Sequence, residues 1–215
     1  MLFQSDLVYR ARDFHTTAKD RETAGFFNAR IVNLRNSIEP TAPPLSSPSP
    51  ALPPSSSNLA FESHFESGNL EAVSETSPGE FNLLLQNDIN TRGHTQWFFF
   101  RVHNTTAGNW VKLSIVNFEK SNSLFSSGMK VAIYSLKASQ DLGVGWTRGG
   151  EEIAYYRNGI KRKCKSGFAS YYTLSFRYEF KYTEDQVYFA YSCPYTYTRI
   201  QRLLSDLESD PTKSQ

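Results

Sequence analysis

The feature that most restricts the fold of this chain is an alternation of apolar and polar residues over positions 171–180. In this segment, YYTLSFRYEF, every second residue from Tyr172 to Phe180 is aromatic or aliphatic, and the residues between them are polar. Successive side chains of a β-strand point to opposite faces of the sheet. The period of two therefore predicts a strand with one buried face and one face in water.

Several other segments carry the same signal. The alternation is weak at 59–65 and stronger at 81–85, and short apolar runs at 110–116, 130–136 and 186–192 predict further strands. The segment TQWFFFRVH, residues 95–103, is apolar on both faces and predicts a central strand that is covered on both sides. We expect Trp97, Phe99 and Phe176 to be core residues.

Turn residues separate these segments, among them Pro78-Gly79, Ser127-Gly128 and Asn158-Gly159. Many short strands divided by such turns are typical of a sandwich of two sheets. The fold class that we predict is all-β, an antiparallel β-sandwich with a C-terminal helix and a disordered N-terminal extension.

The uneven distribution of aromatic residues and prolines predicts the domain boundaries. Phe, Tyr and Trp make up 14% of the 215 residues, yet only Phe3, Tyr9, Phe14, Phe26 and Phe27 precede Phe61. Residues 40–57, PTAPPLSSPSPALPPSSS, hold most of the prolines of the chain and predict an extended linker. We therefore expect disorder over residues 1–39, a Pro/Ser-rich linker over 40–57 and the sandwich over 58–197.

The period changes after Tyr197. Ile200, Leu203, Leu204 and Leu207 follow the spacing of one face of a helix, and Thr198 is placed to cap its start. The spacing predicts an amphipathic helix over 198–208, and the residues after it are too few and too polar to cover its apolar face. The helix either folds back on the sandwich or packs against a partner.

Charge and hydropathy argue against two classes of function, the binding of nucleic acid and the binding of membranes. The formal net charge is +2, which gives no general electrostatic attraction for nucleic acid or anionic lipid. No stretch approaches the roughly 20 apolar residues that cross a bilayer. We expect a soluble, intracellular protein with no nucleic acid partner and no membrane partner.

Catalytic and metal-binding signatures are missing from the sequence. The four histidines have no H-x-x-E or H-E-x-x-H spacing, and Cys164 and Cys193 form no C-x-x-C pair. No G-x-S-x-G nucleophile motif occurs either. We expect this chain to have no catalytic residue and to bind no metal or other cofactor.

Positive charge is concentrated locally at Lys161, Arg162, Lys163 and Lys165, with Arg157 upstream. We place these residues on a loop between strands. Four interpretations stay open for them: a solvated hairpin tip, a nuclear localisation signal, an RNA contact, or a contact for an acidic polypeptide.

Several motifs resemble the amino-terminal domain of cytosolic carboxypeptidases: FESGNL at 65–70, FNLLLQNDINTRGHTQWFFFRV at 81–102 and YFAYSCPYTYT at 188–198. The resemblance runs in order over about residues 59–208. That family consists of zinc metallopeptidases that trim glutamates from protein tails, notably those of polyglutamylated tubulin. The resemblance implies a non-catalytic β-sandwich that packs on the peptidase domain beside the active-site entrance.

The same resemblance assigns roles to residues. It implies that 198–215 lead into a catalytic domain absent here, which carries the zinc and the catalytic groups. Pro194, Tyr195 and Tyr197 would then form the domain junction. The basic residues Lys161, Arg162, Lys163 and Lys165 would contact acidic tails. The partners that the resemblance implies are the downstream peptidase domain and glutamylated tubulin tails, and the location that it implies is the cytoplasm.

Cys193 stands where relatives usually have tyrosine, so the packing role of that position is open. An alternative function also remains, a free-standing interaction module that binds tubulin or another partner without peptidase activity.

Overall fold

A computed structural model describes residues 58–209 except Arg92, Lys165 and Ser166, together with the backbone of Leu7–Arg10. The described residues form two β-sheets, two α-helices and a short 3-10 helix, Leu124–Ser127. The predicted Pro/Ser linker lies outside the described residues, as does the predicted extension apart from Leu7–Arg10.

The sheets are built from eleven strands within the described residues. The six-stranded sheet has the order β1-β3-β4-β6-β10-β9, and the five-stranded sheet has the order β2-β5-β11-β7-β8. Their bounds are β1 Leu7–Arg10, β2 Ala60–Glu62, β3 Leu70–Ser77, β4 Glu80–Leu85, β5 Phe99–His103, β6 Trp110–Phe118, β7 Val131–Ser135, β8 Thr147–Gly149, β9 Glu151–Cys164, β10 Gly167–Glu179 and β11 Val187–Ala190. The helices are α1, Leu136–Leu142, and α2, Tyr197–Ser209.

The predicted all-β sandwich with a C-terminal helix is confirmed. Within the described residues, β4 and β6 pair in parallel and the other paired strands run antiparallel. The four residues of β1 depart from the prediction of disorder over 1–39, because Leu7–Arg10 pairs with β3 between Ser74 and Ala72.

The main core lies between the two sheets and is rich in phenylalanine. Phe100, Phe176 and Phe189 are fully buried there, and the ring of Phe189 lies 5.5 Å from that of Phe100 and 5.8 Å from that of Phe176. Burial of such rings removes large apolar areas from water, which is the main force that holds the sheets together.

The prediction that one face of residues 171–180 is wet is wrong. On that face of β10, Thr173, Ser175 and Arg177 are only 3%, 5% and 6% exposed. Ile160 and other apolar residues cover this side of the sheet in a second cluster, and Arg177 forms a 2.8 Å ion pair with Glu152. Polar side chains are buried there because neighbouring residues supply their hydrogen bonds.

The turn predicted at Asn158-Gly159 is also wrong, because both residues lie inside β9. Trp97 is not a core residue; it is half-buried, and its Nε1 donates to the backbone oxygen of Ser67 at 2.8 Å. Phe99 is buried, but in a separate cluster on the other side of the five-stranded sheet from Phe100. Of the three expected core residues, Phe176 lies in the main core.

Candidate functional site

The segment that links β11 to α2 is the first candidate site. Tyr191 donates its backbone N–H to the oxygen of Phe98 at 3.0 Å, which fixes the chain at the end of β11. The predicted junction residues follow: Pro194 is buried, whereas Tyr195 is 55% and Tyr197 is 67% exposed. Two large aromatic side chains are thus left facing solvent where the chain leaves the sandwich.

Two acceptors hold the start of α2. The Thr196 Oγ1 atom accepts the backbone N–H of Arg199 at 3.3 Å, so Thr196 caps the helix, and the prediction of Thr198 in that role is wrong. The Glu66 Oε1 atom accepts the backbone N–H of Thr198 at 2.9 Å. The capping prediction missed these contacts because Thr196 precedes the apolar pattern and Glu66 comes from a distant loop.

The carboxylate of Glu66 is stabilised in its charged form. The hydrogen bond from the Thr198 backbone N–H lowers the pKa of Glu66 below its ordinary value of 4.5. A carboxylate at a helix N-terminus also interacts favourably with the helix dipole. Glu66 therefore attaches the first turn of α2 to the loop that follows β2.

The attachment of α2 predicts a pH dependence. Because the folded-state pKa of Glu66 is lowered, the hydrogen bond is fully formed above the ordinary glutamate pKa and is lost as pH falls through the lowered value. We expect the NMR shift of the Thr198 amide proton to titrate in acid with that lowered pKa. In Glu66→Gln this titration should vanish; if it persists, another group controls the amide.

The apolar side of α2 is uncovered in the described residues. Ile200, Leu203, Leu204 and Leu207 are 38%, 47%, 52% and 39% exposed, and no residue of the helix is buried. The predicted helix is confirmed. Of the two alternatives for its apolar face, packing back on the sandwich is not seen among the described residues. A helix of this length in a folded protein normally buries such a face.

A second apolar surface lies on the outer side of the five-stranded sheet. We call it the aromatic face, which consists of Phe65, Trp97, Phe99, Tyr134, Trp146 and Tyr188. Its rings form a continuous network, with centroid distances such as 4.8 Å for Phe65–Phe99 and 5.8 Å for Phe99–Trp146. Phe99 is buried, and the other five residues are half-buried.

The aromatic face lies close to the start of α2. Phe65 precedes Glu66, whose carboxylate holds the start of the helix. At another border of the face, Arg101 stacks over the Tyr188 ring at 5.9 Å and contacts Glu62 and Gln186. Half-buried aromatic residues near the start of an exposed apolar helix are typical of a protein interface.

The predicted basic loop is wrong in its secondary structure. Lys161, Arg162 and Lys163 lie in β9, and Lys165 lies outside the described residues. Arg162 and Lys161 have different partners, because Arg162 forms a 3.3 Å ion pair with Glu119 whereas the Lys161 Nζ atom donates to Ser170 Oγ at 2.9 Å. Arg157 Nε donates to the same Ser170 oxygen at 2.9 Å, a convergence that the sequence did not indicate.

The described residues offer no ligand set for a metal. No three His, Cys, Asp or Glu side chains among them are placed to hold an ion. Within this part of the chain, Cys164 and Cys193 are not in a disulfide. The described helices also include none that is long and apolar enough to cross a membrane.

Comparison with known proteins gives consistent matches. Residues 61–192 match the family described as the cytosolic carboxypeptidase N-terminal domain. The chain is 34% identical over 212 residues to cytosolic carboxypeptidase 3 of Mus musculus, covering 99% of this chain and 20% of that protein. It is 41% identical over 156 residues to cytosolic carboxypeptidase 2 of Danio rerio, covering 73% of this chain and 21% of that protein.

The chain thus spans about a fifth of the length of these relatives. A solved metallo-carboxypeptidase from Burkholderia cenocepacia is also similar, with 20% identity and a TM-score of 0.49 over 71% of this chain and 34% of that one. Because the family match covers more than half of the sequence and most of the sandwich, the chain belongs to the family of cytosolic carboxypeptidase N-terminal domains.

Proposed function

We propose that this chain is the non-catalytic N-terminal β-sandwich of a cytoplasmic zinc metallocarboxypeptidase that removes glutamates from protein tails such as those of polyglutamylated tubulin. Its role in that enzyme is to dock on the peptidase domain. The observation that carries the proposal is the exposed apolar face of α2, which begins beside the aromatic face.

The position of α2 supports this role. The helix leaves the sandwich through Pro194, Tyr195 and Tyr197, which we propose as the domain junction. The guanidinium group of Arg199 lies over the Tyr195 ring at 5.2 Å, so the first turn of α2 is packed on that junction. A peptidase domain that follows the helix would cover its apolar face.

Hydrolysis is assigned to the peptidase domain. The described residues of this chain do not fit a zinc site, since they offer no cluster of three candidate ligands. We therefore propose that the zinc and the catalytic groups belong to the region that extends beyond this domain in the relatives.

A comparison of two proteins tests the assignment. Release of glutamate from a C-terminally glutamylated peptide is measured for the 215-residue chain and for a version extended through the region that follows in the relatives. We expect activity only from the extended protein. Activity from the 215 residues themselves would contradict the proposal. An inactive extended protein that still binds tubulin would favour a free-standing interaction module.

Docking through α2 predicts a difference between the same two proteins. The double variant Leu203→Glu/Leu207→Glu places charge on the apolar face, whose residues are already exposed in this chain. We expect its free energy of unfolding to change by no more than about 0.5 kcal/mol in the 215-residue chain. In the extended protein, burial of an unpaired charge is expected to cost several kcal/mol. Thermal denaturation of both proteins measures the effect.

Gln201→Glu is the matched control, because it adds a negative charge to the polar side of the same helix. We expect it to leave both proteins unchanged. Equal destabilisation by the control and the double variant, or no effect of the double variant in the extended protein, would contradict docking through this face.

A further inference from the structure

An irregularity in β9 brings the positively charged side chains of Arg157 and Lys161 together, although these residues lie four positions apart in the sequence. Arg157 pairs with Tyr172 of β10, and Lys161 pairs with Ser170. Four steps along β9 therefore lie opposite two steps along β10, which is a β-bulge of two extra residues. Bulges redirect side chains and often lie near functional sites.

The bulge is fixed by partly buried contacts. The Asn158 Nδ2 atom donates to the backbone oxygen of Val116 at 2.7 Å and to Thr173 Oγ1 at 2.9 Å. Its Oδ1 atom accepts the backbone N–H of Ile160 at 3.0 Å, and Ile160 is 4% exposed. The conformation thus has both polar and apolar support, so it is a defined part of the fold.

The bulge controls the distance between the two charges. In a regular strand, residues four apart are separated by about 13 Å. Here the Arg157 Nε and Lys161 Nζ atoms both lie 2.9 Å from Ser170 Oγ. The two nitrogens are therefore less than about 6 Å apart, because each lies within hydrogen-bond distance of the same oxygen. Ser170 itself is 7% exposed.

These charges differ from other cations in the sheet. Arg162 is paired with Glu119 and Arg177 with Glu152. No carboxylate among the described residues forms an ion pair with Arg157 or Lys161. Two like charges that share one neutral hydroxyl repel each other, and an anion bound between them would remove that repulsion and accept charge-assisted hydrogen bonds.

We propose that Arg157, Lys161 and Ser170 bind a carboxylate of an acidic polypeptide, and that Lys163 binds a second one. Lys163 lies two residues beyond Lys161, so it shares the same face about 6.6 Å along the strand. This spacing equals that of alternate side chains in an extended peptide. Phe168 lies two residues before Ser170 and is 77% exposed. Its ring provides an apolar surface for the methylene groups of the acidic side chains of the peptide.

This site differs from the set that the sequence indicated. Arg162 is excluded because neighbours in a strand point to opposite faces and its charge is paired with Glu119. Arg157 and Ser170 are added because the bulge brings them to Lys161. The site belongs to this chain alone, so it does not depend on docking to a peptidase domain.

Direct binding to the 215-residue chain tests the site. The probe is a fluorescein-labelled peptide of ten glutamates, followed by fluorescence anisotropy at low ionic strength. We expect Arg157→Gln/Lys161→Gln to weaken binding at least tenfold and Lys163→Gln to weaken it about threefold, since charge-assisted contacts are lost. Added salt should weaken binding to the wild-type chain.

Two controls separate a site from general charge. Lys120→Gln/Lys181→Gln removes two positive charges elsewhere on the chain, and Arg162→Gln removes one from the opposite face of β9. We expect each to change affinity less than twofold. A loss with either control as large as with Arg157→Gln/Lys161→Gln would overturn the proposal.

The bulge and the lysines also fit a purely structural role, since charged residues and bulges protect an edge strand such as β9 from pairing with other molecules. Under that explanation, Arg157→Gln/Lys161→Gln would increase self-association in analytical ultracentrifugation and leave peptide affinity unchanged, which would overturn the proposal. If inorganic phosphate at the same concentration as the peptide displaced it, the site would be a phosphate site, and the proposal would also be overturned.

Discussion

Phe189→Ala is expected to lower the free energy of unfolding by about 3–5 kcal/mol, the usual cost of removing a fully buried phenyl ring. Phe189 is 0% exposed, and its ring lies 5.2 Å from that of Tyr178 as well as against the rings of Phe100 and Phe176. Because these rings come from both sheets, the cavity would lie at the centre of the sandwich, where relaxation is restricted.

Denaturant unfolding measures this effect as a shift in midpoint at a constant slope. Phe168→Ala is the matched control, because it removes a phenyl ring that is 77% exposed. We expect it to change the free energy of unfolding by no more than about 0.5 kcal/mol. A loss below about 1 kcal/mol for Phe189→Ala would show that the two sheets do not pack through this ring.

Asn117→Ala is expected to cost about 2–4 kcal/mol, because it leaves buried backbone groups without partners. The Asn117 Oδ1 atom accepts the backbone N–H of Leu85 at 3.0 Å, and its Nδ2 atom donates to the Leu85 oxygen at 2.9 Å. Asn117 is 1% exposed, so water cannot replace either bond without opening the sheet. The side chain thus continues the pairing of β4 with β6 beyond the parallel ladder.

The matched control is Asn122→Ala, an exposed asparagine in the loop after β6. We expect it to change the free energy of unfolding by no more than about 0.5 kcal/mol. Hydrogen exchange should also show faster opening of the Leu85 amide in Asn117→Ala. Equal stability of the two variants would mean that Asn117 is not a bridge between β4 and β6.

Strands and the final helix were predictable where one pattern dominates. The alternation at 171–180 and the helical spacing of Ile200, Leu203, Leu204 and Leu207 are local, and the structure has β10 and α2 at these positions. The sequence resemblance also indicated the correct family, since its motifs span most of the sandwich.

Other features depend on contacts that no local pattern records. β9 was missed because Asn158-Gly159 and the adjacent charges indicate a turn, whereas Asn158 instead bonds to Val116 and Thr173 across the sheet. The burial of polar residues on β10 depends on the cover supplied by Ile160. The convergence of Arg157 and Lys161 on Ser170 was not predictable either, because it requires the bulge, which depends on contacts between strands.

The pairing of β5 with β11 affects how this chain folds during synthesis. Val102 pairs with Val187, so Phe99–His103 leaves the ribosome about 85 residues before its neighbouring strand is made. At about 5–20 residues per second, this delay lasts several seconds. During that interval the aromatic side chains of β5 have no β11 to cover them, and a chaperone that binds apolar segments would protect the nascent chain from aggregation.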